Sequence, residues 1–402
     1  MIAVVGGVYR EKCIHPGWDE IYGSAGRAAT AIARMGGAVE LHSYFESTAL
    51  YVMQDRAALE GFQLAATEVG QGVTFDYIHG LSTPIIHQPA SQYEPLNISK
   101  EHVLRFGMIE GTAVVNCDYA VYDPQNAHNP EAFIANGSTA KHLALVLNRH
   151  EAHGICASPC EEPEELARQL ADQSGADVVI IKMGPQGALV YDKGACSTVP
   201  AYRTTHVWKI GSGDTFAAHF AYAWMEEGRS PQEAASIASR ATAFYCESRG
   251  YPSRKLLDRF DPKPLCASEC YRSGYQPRVY LAGPFFTLAQ LWMIHEARKD
   301  LSDMGLSVFS PYHDVGCGSA DDVVEKDLQG IRDCDLIFAI GDGLDAGTIY
   351  EIGFARALGK PVVLYSENES TEDKKMMAGS ACRISDDYVS AIYQAVWEAA
   401  AL

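Results

Sequence analysis

The chain has 402 residues, which at roughly 150 residues per domain predicts two or three domains and excludes a single small module. Acidic residues number 51 against 32 basic, for a net charge of −19, while 47% of residues are apolar and 21% charged. That balance excludes a disordered chain, and with no local basic patch it disfavours nucleic-acid polymers and anionic membranes, leaving small molecules as the expected partners.

In chain order, Met1 leads directly into IAVVGG, a strand-like run with no basic leader, and no apolar run approaches the roughly 18 residues of a membrane span. A cytoplasmic protein is expected. Further β-branched runs lie at 113–117, 143–147 and 177–182, separated by Ala-rich segments of helical spacing such as Ala25 to Met35 and Glu162 to Gln173. This alternation predicts an α/β fold with buried parallel strands. Residues 248–278 contain four prolines and no sustained period, so a junction between domains is expected there. After it the pattern restarts: VYLAG, a helix from about Leu288 to Met304, SVFSP, a helix near Asp321 to Asp333, DLIFAI, a helix near Thr348 to Leu358, and PVVLY. The expected division is 1–250, a linker 251–276, and 277–402. The eleven cysteines read as thiols of a reducing compartment, although Cys156/Cys160 and Cys266/Cys270 have spacings that also occur in metal sites.

In an open parallel sheet, ligands meet the carboxyl ends of strands, so the residues following each run carry the chemistry. In the second half these are YLAGPF from Tyr280 to Phe285 and DAGTIYEIGFARALGKP from Asp345 to Pro361. Asp345 and Glu351 lie six residues apart across a helix start. Paired carboxyl groups suit cleavage of a glycosidic bond, one trapping the anomeric carbon and the other protonating the leaving group. Crowding of Asp327, Asp342, Asp345 and Glu351 would raise a carboxyl pKa toward neutrality. The same acids also fit helix caps, the preferred reading for Asp342. His313 and Asp314 fit either a sugar contact or a surface loop.

Residues 278 to 366 closely resemble the nucleoside 2-deoxyribosyltransferases and the nucleotide N-glycosidases. The resemblance implies Glu351 as nucleophile, Asp345 as the group facing the leaving base, Asp327 as a further pocket acid, and Tyr280, Gly283, Phe285 and Gly347 as substrate contacts, with no cofactor.

Residues 1 to about 250 resemble the ribokinase-like (PfkB) sugar and nucleoside kinases. The motifs are VVGG at Val4 to Gly7, the glycine-rich segment Gly23 to Gly36, NRHE at Asn148 to Glu151, KMGPQGA at Lys182 to Ala188, and GSGDTF at Gly211 to Phe216. The resemblance implies a kinase using ATP and Mg2+. Asp214 would be the base, Gly211, Ser212, Gly213 and Gly184 would hold phosphates, and Asn148 and Glu151 would organise phosphate and, indirectly, magnesium. Departures accompany these matches. Trp208, followed by Lys209 and Ile210, stands where an acid is usual, and His219 where a small residue is expected. Arg27 replaces a sugar-binding asparagine, and the nearest match to a sugar-binding aspartate is Glu11. The change in sugar contacts predicts an altered or phosphorylated substrate gripped by Arg27.

Two doubly wound domains are therefore expected: a ribokinase-like fold, then a smaller flavodoxin-like deoxyribosyltransferase fold. Together they predict a homo-oligomeric enzyme of nucleoside or nucleotide metabolism that cleaves or exchanges an N-glycosidic bond. The alternative is a nucleotide-binding or sensing protein with a degenerate kinase domain.

Overall fold

Runs of apolar residues buried on both faces build the larger sheet. In the strand Ile2–Val5, Ile2 and Val4 enter one core while Ala3 and Val5 enter the other, the period-two alternation of a strand with helices on both sides. The computed structural model describes residues 1–126, 130–156 and 160–402. It divides into two compact units, one of residues 1–204 and 208–264, the other of residues 205–207 and 265–402.

The first unit holds a nine-stranded sheet in the spatial order 195–199, 188–192, 178–182, 139–148, 113–123, 96–106, 2–5, 39–45, 63–68. All neighbours are parallel except the pairs made by 188–192, which are antiparallel. Helices Gly23–Arg34, Ser47–Glu60, Ser212–Ala221 and Pro231–Ser248 cover one face, while Arg149–Cys156 and Pro163–Ser174 cover the other. A separate four-stranded sheet orders Trp18–Ile21, Arg10–Cys13, Thr74–Tyr77 and Ile85–His87.

The second unit has five strands, all parallel, in the order Ser307–Phe309, Arg278–Ala282, Leu336–Ile340, Val362–Tyr365, Arg383–Ser385. Helices Ala320–Asp333 and Ala346–Ala357 contribute Ile331, Ile352 and Ala355 to the core on one face, and Leu288–Asp303 and Tyr388–Ala401 pack on the sheet as well. The connection from Arg278–Ala282 runs to one edge and that from Leu336–Ile340 toward the other, the topological switch at whose strand carboxyl ends a parallel sheet forms its ligand crevice. Among the described residues no helix is long and apolar enough to cross a membrane.

Candidate active sites

In the second unit the crevice gathers carboxyl groups from two helices. Tyr280, fully buried in its strand, stacks on Phe309 with ring centroids 5.5 Å apart, and its hydroxyl donates to Glu351 Oε1 at 2.6 Å. Glu351 stands in the second turn of Ala346–Ala357. Burial pushes its carboxyl up to about 7, the Tyr280 hydrogen bond opposes that rise, and the negative charges of Asp327 and Asp345 add to it. Asp327, on Ala320–Asp333, is likewise raised by burial, against the opposing charge of Lys326. Its Oδ1 is buried and has no hydrogen-bond partner among the described residues.

Asp345 has a different setting: it is the N-cap of Ala346–Ala357, with Oδ2 accepting from Thr348 N at 2.9 Å and Thr348 Oγ1 at 3.0 Å. Asp342, expected as a helix cap, instead holds the loop after strand Val362–Tyr365, accepting from the backbone N of Glu367 and Asn368 and from Ser366 Oγ, while Asp345 takes the cap. Gly283 sits in tight packing: a Cβ there would lie 2.9 Å from Ile294 Cδ1 and 3.1 Å from Ile340 Cβ, so both side chains would have to move. Phe285 stands against Tyr312 with centroids 5.4 Å apart, and Gly347 is exposed beside Asp345 in the first turn of the helix. His313 Nε2 lies 3.0 Å from His295 Nδ1, and Asp314 accepts from Ser310 N and pairs with Arg298.

In the first unit Asp214 lies in the opening turn of Ser212–Ala221 and is 8% exposed. Gly211 caps that helix with φ 82°, and a Cβ on it would fall 2.1 Å from Arg27 Nε, so both conformation and space demand glycine. Arg27 is 1% exposed. Its Nη1 donates to Glu11 Oε1 at 2.7 Å and to Asp214 Oδ2 at 3.2 Å, its Nη2 to Glu11 Oε2, and its Nε to the Tyr245 hydroxyl at 3.3 Å. The guanidinium expected to grip a phosphorylated substrate is thus committed to the protein itself. Asp214 Oδ1 accepts from Gln125 Nε2.

Asn148 and Glu151 bind each other's backbone: Glu151 N donates to Asn148 Oδ1 and Asn148 N to Glu151 Oε2, both at 2.8 Å, a reciprocal cap on Arg149–Cys156. Lys182 Nζ donates to Asp123 Oδ2 at 3.1 Å, and burial raises Asp123. Gly184, with φ 57°, opens the turn after strand Val178–Lys182. Trp208 is buried against Trp18, with centroids 5.0 Å apart, beneath the Arg249 guanidinium. His219 is a core residue: Nδ1 lies 2.8 Å from the Thr215 carbonyl, which can only accept, so Nδ1 carries the proton, and burial lowers its pKa to about 4.

Sequence reasoning passed over Asp123, Gln125, Tyr9, Glu110, Tyr245 and Tyr251. Asp123 was findable, because it ends the strand Ala113–Asp123 where ligands meet a parallel sheet. The others come together only in the folded unit.

Comparison with known proteins divides the chain in the same sense. Residues 112–254 match the pfkB family carbohydrate kinases, and residues 279–380 match nucleoside 2-deoxyribosyltransferase. Solved structures similar to the chain include phosphofructokinase-2 from Escherichia coli in complex with fructose-6-phosphate, at 14% identity and TM-score 0.48, over 64% of this chain and 97% of that one. Ribokinase from Thermotoga maritima aligns at 17% identity and TM-score 0.46, over 64% and 98%. Fructokinase from Vibrio cholerae O395, in its fructose, ADP and calcium ion bound form, aligns at 14% identity and TM-score 0.49, over 64% and 98%. No curated protein matches the chain. The chain thus carries, one after the other, a stretch similar to the pfkB family carbohydrate kinases and a stretch similar to the nucleoside 2-deoxyribosyltransferases.

Proposed function

We propose that the second unit cleaves or exchanges the N-glycosidic bond of a (deoxy)nucleoside or nucleotide, with Glu351 as nucleophile. The observation that carries this reading is the Glu351 carboxyl itself: largely buried, raised to about 7, held by Tyr280, and close enough to Asp327 and Asp345 to feel their charges. Ionised Glu351 attacks the anomeric carbon, a bond forms between carboxylate oxygen and sugar, and the C–N bond breaks with its electron pair leaving on the base. Asp327, raised by burial and with one oxygen unpartnered among the described residues, is assigned as the proton donor to that base; Asp345 fixes the helix start that carries Glu351. Water or a second base then takes the sugar and frees Glu351. Chromatography of products from a panel of nucleosides and their monophosphates, with and without an added free base, tests this. Base release or exchange that vanishes in Glu351→Gln supports the reading, and a protein inert on the whole panel removes it.

For the first unit we propose binding of ATP with Mg2+ and transfer to a substrate hydroxyl, with Asp214 as base. The amino end of Ser212–Ala221, with Gly211 and Gly213, offers amides and a favourable dipole to phosphate oxygens, while the Ser212 amide donates to the Lys209 carbonyl at 3.1 Å. Buried Asp123 and Glu151 are hard oxygen donors close enough for their charges to interact, and among the described residues Glu151 Oε1 accepts no hydrogen bond, so the donor set fits magnesium held directly or through water. Bound there, the ion would neutralise phosphate charge. A second reading, nucleotide binding without transfer, is favoured by one observation: both Asp214 oxygens are already engaged, by Arg27 and Gln125. ADP release from ATP and a nucleoside panel, abolished by Asp214→Asn, distinguishes transfer from binding.

A further inference from the structure

An imidazole nitrogen without a proton presents a lone pair in the ring plane, and two such nitrogens aimed at one point attract either a shared proton or a metal ion. His295, on helix Leu288–Asp303, and His313, in the turn Pro311–Val315, lie 18 residues apart in the chain and meet with Nδ1 of the first 3.0 Å from Nε2 of the second. Their ring centres are 4.6 Å apart and their planes cross at 80°. A directed N–H···N bond, with donor and acceptor each on its own ring axis, would hold the centres about 5.3 Å apart. Two rings converging on one ion, with bonds of about 2.0–2.1 Å at about 90–95°, would put the nitrogens about 3.0 Å and the centres about 4.6–4.7 Å apart. The pair has the second geometry.

The surroundings hold the rings in that position. Ser310, 1% exposed, places its hydroxyl 3.1 Å from Nδ1 of His313, where it orients the ring and can accept the Nδ1 proton, so that Nε2 faces His295 as a lone pair. The Tyr312 ring stands edge-on to both imidazoles, with centroids 5.0 Å from His313 and 5.8 Å from His295, and packs against Phe285. The charges nearby are matched: Arg298 pairs with Asp314 at 3.5 Å, and Asp314 also accepts from Ser310 N. His295 is exposed, so water can reach the pair and fill the remaining positions on an ion. Imidazole suits Cu2+, Ni2+ and Zn2+, whereas Mg2+ and Ca2+ take oxygen. An angle near 90° is that of neighbouring positions in the tetragonal geometry of Cu2+ or Ni2+; tetrahedral Zn2+ would set the nitrogens about 3.3 Å apart.

We propose that His295 and His313 form a two-histidine site for a divalent transition-metal ion, Cu2+ or Ni2+ ahead of Zn2+, which clips the Pro311–Val315 turn to helix Leu288–Asp303. The clip fixes Tyr312, and with it Phe285, which follows the carboxyl end of strand Arg278–Ala282. It takes no part in bond cleavage and stands independently of Glu351 as nucleophile.

The test uses the full chain with its thiols blocked by N-ethylmaleimide, because Cys196, Cys266, Cys270 and Cys317 are exposed and would compete for the ion. Ni2+ is titrated calorimetrically, near neutral pH, into wild type, His295→Gln and His313→Gln, with Mg2+ as the control. Cu2+ at less than one equivalent is read by pulsed electron paramagnetic resonance, which counts coordinated imidazoles. One Ni2+ should bind more tightly than any further ion, and each substitution should weaken that binding at least about tenfold, since losing a ligand costs no less than losing the group that supports one. The copper signal should show two imidazoles in wild type and fewer in His295→Gln. Unchanged nickel affinity in a folded variant, one imidazole or none on the tightest copper of wild type, or Mg2+ binding that the substitutions weaken equally overturns the proposal. If a variant does not fold, the imidazole count in wild type decides alone.

Discussion

Replacing Tyr280 by Phe removes one hydroxyl from a fully buried ring and leaves its stacking on Phe309 in place. What is lost is the 2.6 Å hydrogen bond to Glu351, which favours the ionised carboxylate. A hydrogen bond to a charged group contributes about 1.5–3 kcal/mol, and a pKa unit corresponds to about 1.36 kcal/mol. Glu351 should therefore rise by about one to two units above its value of about 7. Since the nucleophile must be ionised, activity increases with pH through that pKa, and the variant's acid limb should shift upward by the same amount. At pH 7 the loss should be about five- to fiftyfold, shrinking as the pH is raised. Tyr280 stays protonated across this range, because burial and the Glu351 charge raise its own pKa. The assay is log(kcat/KM) for base release against pH for both proteins. A uniform drop at every pH, or an acid limb that does not move, would refute the reasoning.

Glu351→Gln should abolish base release and at the same time stabilise the protein at alkaline pH. A carboxyl raised to about 7 from 4.5 contributes stability that is full below its unfolded pKa and lost as the pH rises through 7. Urea unfolding should therefore show the variant gaining up to about 3 kcal/mol on wild type at pH 8, less for residual exposure, with the gain vanishing near pH 4. Equal stability at both pH values would mean that Glu351 is not raised. Asp327→Asn should slow release of poorly leaving bases about a hundredfold or more while sparing an activated nitrophenyl glycoside, whereas Asp345→Asn should affect both substrates alike. The opposite pattern returns the proton to Asp345. Asn148→Ala breaks the reciprocal cap with Glu151 and should lower the stability of the first unit by about 0.5–2 kcal/mol, read by calorimetry; no change would mean the cap is not formed in solution.

Strands Ile2–Val5, Ala113–Asp123, Thr139–Asn148 and Val178–Lys182 of the large sheet were legible, as were Arg278–Ala282, Leu336–Ile340 and Val362–Tyr365 of the smaller one, because each carries a continuous apolar run buried at its centre. The four-stranded sheet was not. Its strands REKC, WDEI, TFDY and IIH are three or four residues long, largely polar, and paired across distant stretches of chain, so no local period marks them. Among the site residues, chain spacing alone brought Asp345 and Glu351 near one helix start, but which acid would be raised depended on burial and on partners. The N-cap role of Asp345, the raised carboxyl of Glu351 and the unpartnered Oδ1 of Asp327 are properties of the fold. The N-x-x-E spacing of Asn148 and Glu151 is also the spacing of a helix cap, and the structure uses it as one. Glu11 and Arg27 were noted as separate substitutions because they lie on different elements, a strand of the small sheet and a helix of the large domain. Their pairing is visible only once the strand is laid against that helix.

The central claim is that Glu351 attacks the sugar. It is tested most directly by incubating the protein with a 2′-deoxy-2′-fluoro nucleoside, which slows hydrolysis of a glycosyl ester, and mapping the modified peptide by mass spectrometry. Free base should be released and a fluorosugar ester should form on Glu351, to be lost slowly to water or to an added second base. A fluorosugar bound to another residue, or base release with no adduct in wild type and equal release in Glu351→Gln, would contradict it.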